Sequence, residues 1–344
     1  MSKLLSKLLN AGTIKANVLS DDNDVLNCRD ITQTPIPIIN AAFTGDLHTG
    51  GLVSGVTVLA GPAKHFKTTL ALLCLKSYLD KYEDSICLFY DNEFGATLES
   101  FHDIGIDLDR VVHIPITSIE ELRSDISNRL NEIRPGDKVF TLVDSLGNLA
   151  SKKEIKDALE DNDTADMTRA KVIKSLFRII TPHFTLKNIP AIVIAHTYFT
   201  MEMFSKAKVS GGSGVEYSPN NIFIIGRSQD KDKTSKEILG YDFTINIEKS
   251  RFIKEKSKLS FSVSHDSGID YYSGILELAL ESGDVIKPNN GWYQLIDKET
   301  GEMIGQKVRE SATATDEFLG VVLKRKSFID FVAKKYKLGN LVSE

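Results

Sequence analysis

Gly61, Lys67 and Thr68 have the spacing of a phosphate-binding loop, G-x-x-x-x-G-K-S/T, except that Phe66 stands at the second glycine. The loop lies between an apolar, β-branched run (residues 56–60) and a helical pattern that opens near Lys67, with Leu70, Leu73 and Cys74 on one face. Strand, loop and helix in that order make an anion site. Unpaired backbone N–H groups at a helix start face the ligand, and the helix dipole favours negative charge there. In such a loop Gly61, Pro62, Ala63, Lys64, His65, Phe66, Lys67, Thr68 and Thr69 wrap the phosphates of ATP. Lys67 reaches the β- and γ-phosphates, and the Thr68 hydroxyl holds Mg2+. Glycine is usual at the place of Phe66 because the backbone turns through unusual dihedrals. The plainer reading is a strand-to-helix turn with a surface lysine.

Three more apolar runs end in residues capable of chemistry. Asp91 and Glu93 follow residues 85–90, Asp144 and Ser145 follow residues 138–143, and His196 follows residues 190–195. An acid directly after a buried strand is a Walker-B pattern, in which the carboxylate of Asp144 orients Mg2+ or its water. Glu93 suits the alignment of an attacking water. Any one of these residues alone could cap the next helix; together they point to a nucleoside triphosphatase.

These side chains converge only if the strands lie in one sheet. Short apolar runs alternate with helical patterns up to residue 196, which predicts βαβ units and a parallel sheet with ligands at the strand carboxyl ends. Ser118 with Glu121 predicts a capped helix start, and a helix over 166–181 stops before Pro182. Residues 221–227, 241–248 and 258–264 read as strands without helices between them, an antiparallel extension. A short amphipathic helix precedes the core: Leu4, Leu5, Leu8 and Leu9 with lysines between them. It either folds back on its own core or docks on a neighbouring subunit. A small lobe closes the chain, with a helix over 274–281, a hairpin at Asn289-Asn-Gly291 and a helix over 317–336. That last helix is expected to turn Phe318, Val321, Val322, Phe328, Phe331 and Val332 inward. Lys324, Arg325, Lys326, Lys334 and Lys335 then face outward, as a soluble face or one that meets duplex DNA.

The 344 residues carry a net charge of -5 and 42% hydrophobic residues, which excludes a strongly basic nucleic-acid binder by composition. The 3 cysteines lack metal spacing, and no run approaches the ~18 apolar residues of a membrane span. No signal peptide is read, and a cytoplasmic location is expected. Residues 197–219 mix Tyr198, Phe199, Met203, Phe204, Lys206 and Lys208 with Gly211-Gly-Ser-Gly214. Aromatics among lysines on a glycine-hinged loop suit single-stranded DNA; a lid over nucleotide is the alternative. Lys249 and Arg251 end one strand, ordinarily as solvated cations.

Several segments together resemble a known family. They are Leu59-Ala-Gly-Pro-Ala-Lys-His-Phe-Lys67, Leu88-Phe-Tyr-Asp-Asn-Glu-Phe-Gly95, Val143-Asp-Ser-Leu-Gly-Asn-Leu-Ala-Ser-Lys-Lys-Glu154, Asp166-Met-Thr-Arg-Ala-Lys171, Lys174-Ser-Leu-Phe-Arg-Ile179, Gly274-Ile-Leu-Glu-Leu-Ala279 and Asn290-Gly-Trp-Tyr293. The likeness is to the RecA-type recombinase core and, within it, to the UvsX recombinases of tailed bacteriophages, from about residue 30 onward. Phe66 in the loop is itself a feature of that group.

The resemblance implies an α/β fold with a RecA-type P-loop ATPase core over 34–272. An N-terminal arm for subunit docking over 1–33 and an α+β lobe over 273–344 flank it. It implies that Lys67, Thr68 and Asp144 bind MgATP and that Glu93 activates water. His196 replaces the usual glutamine that senses the γ-phosphate, and an imidazole there makes the coupling sensitive to pH. DNA loops fall at 151–165 and 197–219, with Phe199, Phe204, Lys206, Lys208, Gly211 and Gly212 as contacts. Lys249 and Arg251 reach the ATP of a neighbouring subunit. Ser100 stands where a base-stacking aromatic is expected, with Phe101 as its substitute. The implied activity is a DNA-dependent ATPase that forms filaments on single-stranded DNA and exchanges strands with duplex DNA. Mediator and single-strand-binding proteins are implied partners; chains of that group tend to end in an acidic tail, and with the sequence stopping at Leu341-Val-Ser-Glu344 the tail is read as absent or trimmed. A hexameric helicase and a nucleotide-switched scaffold that coats DNA are the other readings.

Overall fold

The computed structural model describes residues 2–14, 16, 18, 30–161, 168–199, 207–232 and 235–339. Helices α1 (Lys3–Ala11) and α2 (Pro37–Thr44) precede strand β1 (Gly55–Ala60), and α3 (Lys67–Lys81) follows the phosphate loop. Then come β2 (Ile86–Asp91), α4 (Leu98–Ile104), β3 (Val111–Pro115), α5 (Ile119–Glu132) and β4 (Val139–Asp144). Helices α6 (Lys152–Leu159) and α7 (Thr168–Leu186) lead to β5 (Pro190–Ala195). A small hairpin of β6 (Thr197–Phe199) and β7 (Ala207–Val209), then α8 (Ser213–Tyr217), precedes the long strands β8 (Asn221–Lys231) and β9 (Ile238–Ser250). Strands β10 (Lys258–Ser264) and β11 (Gly268–Ile269) complete the sheet.

Nine strands form that sheet in the order β11-β10-β9-β8-β1-β5-β4-β2-β3. From β8 to β3 every pairing is parallel, and from β8 to β11 every pairing is antiparallel, as the sequence pattern predicts. Strand β1 is buried along its whole length because both faces of the sheet are covered. Its alternation sends Leu59 into one apolar cluster, with α2, α3 and the C-terminal lobe, and Val56, Val58 and Ala60 into another, with α5 and α7. The Ser118–Glu121 capping box that fixes the start of α5 is formed at both of its bonds.

The lobe contains α9 (Ile275–Ser282), β12 (Val285–Asn289), β13 (Trp292–Ile296), β14 (Met303–Arg309), α10 (Leu319–Leu323) and α11 (Lys326–Tyr336), with β12, β13 and β14 in a separate antiparallel sheet. Two sequence expectations fail. Helix α7 runs through Pro182 to Leu186 rather than stopping before it. Proline removes one backbone donor, and burial of Ile180 and Phe184 on either side of it holds the helix together. The C-terminal basic helix is two helices, α10 and α11, and Arg325 between them points inward to Asp284. Val321 is correspondingly exposed, and Lys335 is tied to Glu281. Among the described residues, no helix is long and apolar enough to cross a membrane.

Candidate nucleotide site and nucleic-acid loops

The adjacent strands β1, β5, β4 and β2 bring Gly61, His196, Asp144 and Glu93 to one sheet edge. Gly61 passes so close to β8 that a Cβ there would lie 2.9 Å from the Ile225 carbonyl oxygen. Phe66 does what glycine does in the consensus loop. It takes φ 59°, ψ 14°, in the left-handed region, directly before α3. That conformation costs about 1–2 kcal/mol for a residue with a side chain. The ring compensates by packing on Phe243 at 5.0 Å and Phe261 at 5.8 Å between centroids. The loop is thereby anchored to β9 and β10.

Lys67 is buried and donates to the Pro62 carbonyl at 2.7 Å, across its own loop. Burial pulls its pKa down, against the opposing pull of Glu93 and Asp144. The Thr68 hydroxyl donates to Asp144 Oδ2 at 2.8 Å, while Asp144 Oδ1 is buried with no hydrogen-bond partner. Burial first, with Glu93 and Asp91 nearby, raises the Asp144 pKa to about 6; the Thr68 bond and Lys67 act the other way. A hydroxyl and an unsatisfied carboxylate oxygen side by side form a hard-oxygen donor set of the kind Mg2+ takes together with water and phosphate.

Glu93 is presented by a turn that Asp91 organises. Asp91 Oδ1 accepts from the Glu93 and Phe94 N–H groups, and its Oδ2 is 3.0 Å from His113 Nε2. Asn92 ties this turn to the end of β4, accepting from the Ser145 N–H at 2.6 Å. Glu93 Oε1 then meets the Ser145 hydroxyl, Asn148 Nδ2 at 3.0 Å and His196 Nε2 at 2.9 Å. The imidazole lies against Gly147, where a Cβ would come within 2.3 Å of its ring. The His196 carbonyl also accepts from Ser210 N–H at the base of the β6–β7 hairpin. One carboxylate oxygen is therefore bonded to the entrance of both expected DNA loops.

A scan of family models matches the RecA N-terminal domain over residues 24–270. The chain belongs to the RecA family. The C-terminal domain of the bacteriophage T4 recombination and repair protein matches over residues 272–332. The recombination and repair protein of Enterobacteria phage T4 is 48% identical, over 100% of this chain and 88% of its own length. Protein RecA of Syntrophus aciditrophicus is 24% identical over 75% of this chain and 72% of its own. Protein RecA of Tropheryma whipplei is 25% identical over 78% and 60% respectively. Membership in the RecA family accounts for the loop, the Walker-B strand and the mixed sheet together.

Other expected site residues are placed less simply. Lys249 donates to the Glu216 and Tyr217 carbonyls at 3.1 and 2.6 Å, capping α8 of its own chain. Burial, then Arg251, lowers its pKa. Arg251 is exposed just past the end of β9. Lys208 is exposed on β7, Phe199 ends β6, and Phe204 and Lys206 lie outside the described residues. Gly211 and Gly212 have φ +115° and +71° in a tight turn before α8, and a Cβ on Gly211 would meet Val215 at 2.5 Å. Phe101 is not free to stack on a base: it is 4% exposed and packs on Phe89 at 5.6 Å. Beside Phe66, a cavity of about 360 Å³ is lined by Thr69, Leu73, Ile104, Val263 and Ile269. Sequence reasoning missed Asn148 and Arg169. Neither ends an apolar run, so no periodicity pointed to them.

Proposed function

We propose that this RecA-like recombinase binds MgATP at the β1–α3 loop, hydrolyses it in a DNA-dependent manner, and forms helical filaments on single-stranded DNA that carry out strand exchange with duplex DNA. The observation that carries the reading is the Thr68–Asp144 pair with its unpartnered buried oxygen, set beside Lys67 and facing Glu93. Thr68 and Asp144 would hold Mg2+, which neutralises phosphate charge when bound. Lys67 leaves the Pro62 carbonyl for the phosphates. Glu93 orients a water for in-line attack, and His196 reports the γ-phosphate to the hairpin. The cavity beside Phe66 takes the adenine. Residues 1–33 serve as docking arm, 34–272 as ATPase core and 273–344 as lobe. Loops 151–165 and 197–219 contact DNA, the second through Phe199, Phe204, Lys206 and Lys208 with Gly211 and Gly212 shaping its turn. Arg251, with Lys249, supplies charge to a neighbour's nucleotide. Relatives that match along most of the chain favour this reading over a helicase or a passive scaffold.

One set of variants tests it in a phosphate-release assay, with and without single-stranded DNA. Lys67→Ala should lose ATP binding and turnover together. Glu93→Gln should bind ATP and lose turnover by about 10³-fold, the scale of other groups that position water or stabilise the transition state. Arg251→Ala should bind ATP and lose turnover only in the DNA-bound assembly. Wild-type turnover by Glu93→Gln would remove Glu93 from the chemistry.

A further inference from the structure

A carboxylate oxygen has two lone pairs, and Glu93 Oε1 accepts from three donors: the Ser145 hydroxyl, Asn148 and His196. Three donors on one oxygen hold the carboxylate in a fixed orientation until one of them leaves. Ser145 directly follows β4 and is buried, so it stays with the strand end. Asn148 differs. Its side chain is exposed, and its amide donates at 3.0 Å to Glu93.

The turn that carries Asn148 is gripped from the far side of the first loop. Arg169, in the first turn of α7, donates to the carbonyls of Leu146 at 2.9 Å, Gly147 at 2.8 Å and Leu149 at 2.7 Å. Helix α6 leaves this turn at Ser151, and at the start of α7 Arg169 holds the same turn. Ser151 on one side and Arg169 on the other thus both connect to the turn that carries Asn148. A load on the loop reaches Asn148 by the covalent chain on one side and by three hydrogen bonds on the other.

We propose that Asn148 is a brake: its amide holds the Glu93 carboxylate in a non-productive position, and ligand on the first loop withdraws it through Ser151 and Arg169. This makes Asn148 a positioning residue for the hydrolysis reaction, and it rests on Glu93 being the water-aligning group. The side chain is exposed, so substitution should leave the fold intact.

The test measures ATP turnover by the full chain, without DNA and with saturating polypyrimidine single strands. Asn148→Ala and the uncharged, similarly sized Asn148→Leu both remove the donor. Each should raise the DNA-free rate about three- to tenfold, the scale of an ordinary net hydrogen bond. Each should match wild type when DNA is saturating, so the stimulation ratio falls by the same factor. A fall in both rates would mean that Asn148 holds Glu93 productively, and unchanged rates would mean that it holds nothing; either overturns the brake. A rise in only one variant would report packing rather than the hydrogen bond, with the same consequence. Glu93→Gln separates the two layers. If it is inactive while Asn148→Ala shows no rise, only the brake fails; if it turns over normally, the underlying assignment fails. The rise must also vanish in the double variant, since a rise that persists there does not act through Glu93.

Discussion

Of the aspartates that are almost wholly buried, Asp144 and Asp284 are treated in opposite ways. Asp144, at the nucleotide edge, is 3% exposed and keeps one oxygen unpartnered; its pKa rises to about 6. Asp284, in the C-terminal lobe, is 0% exposed, yet Lys298 at 2.8 Å, Arg325 at 3.1 Å and Ser282 at 2.6 Å surround it. Burial pushes its pKa up, and those three partners more than reverse the push. Asp284 joins the start of β12 to the segment after β13 and to the turn between α10 and α11. A buried carboxylate whose every partner is internal belongs to the scaffold. One left short of partners has an oxygen open to a further one.

The largest test of that contrast is Asp284→Ala, which strands Arg325 and Lys298. It should cost about 3–5 kcal/mol in urea unfolding. Because the folded pKa of Asp284 is depressed, its contribution is present above the unfolded value of 3.8 and fades as pH falls below it. Loss of under 1 kcal/mol would show that the lobe does not depend on this hub. Asp144→Asn should move stability the other way. A carboxyl raised to about 6 from 3.8 favours folding at low pH, and that advantage is lost as pH rises through 6. The asparagine variant should therefore be more stable than wild type by about 2–3 kcal/mol at pH 8 and equal to it near pH 4. An equal stability difference at both pH values would break the comparison. The smallest effect concerns Phe66. Both Phe66→Ala and Phe66→Gly lose the ring contacts, but only glycine relieves the left-handed backbone. Glycine should be the more stable variant by about 1 kcal/mol in thermal unfolding, the reverse of the usual order of these residues.

The candidate nucleotide edge was legible in the sequence because Gly61, Asp91, Asp144 and His196 each end or directly follow a buried parallel strand. An apolar run followed by Asp91, Asp144 or His196 leaves little freedom in where the side chain emerges. The Ser118 cap was equally local. What could not be read were contacts that join distant parts of the chain. Arg325 sits among lysines on a helical pattern, and only the fold brings Asp284 beneath it. Asn148 and Arg169 act through backbone carbonyls and a single carboxylate oxygen, which leave no periodic trace. Pro182 misled because the packing of Ile180 and Phe184 outweighs a local rule. Phe101 misled because it falls on the buried face of a helix too short to show a period.

The position of β1 has a consequence for how the chain comes together. Its neighbours are β5 and β8, so Gly55 pairs with Pro190, and Thr57 with both Ile192 and Asn221. During synthesis from the N-terminus the phosphate loop emerges early, but neither strand that supports it exists until more than half the chain has been made. Until then β1 is an apolar strand with two open edges, and its loop has no fixed shape. Closing such long spans is slow, and open apolar edges invite wrong pairings. The candidate nucleotide site is encoded near the beginning of the chain and is among the last parts of the core that can be completed.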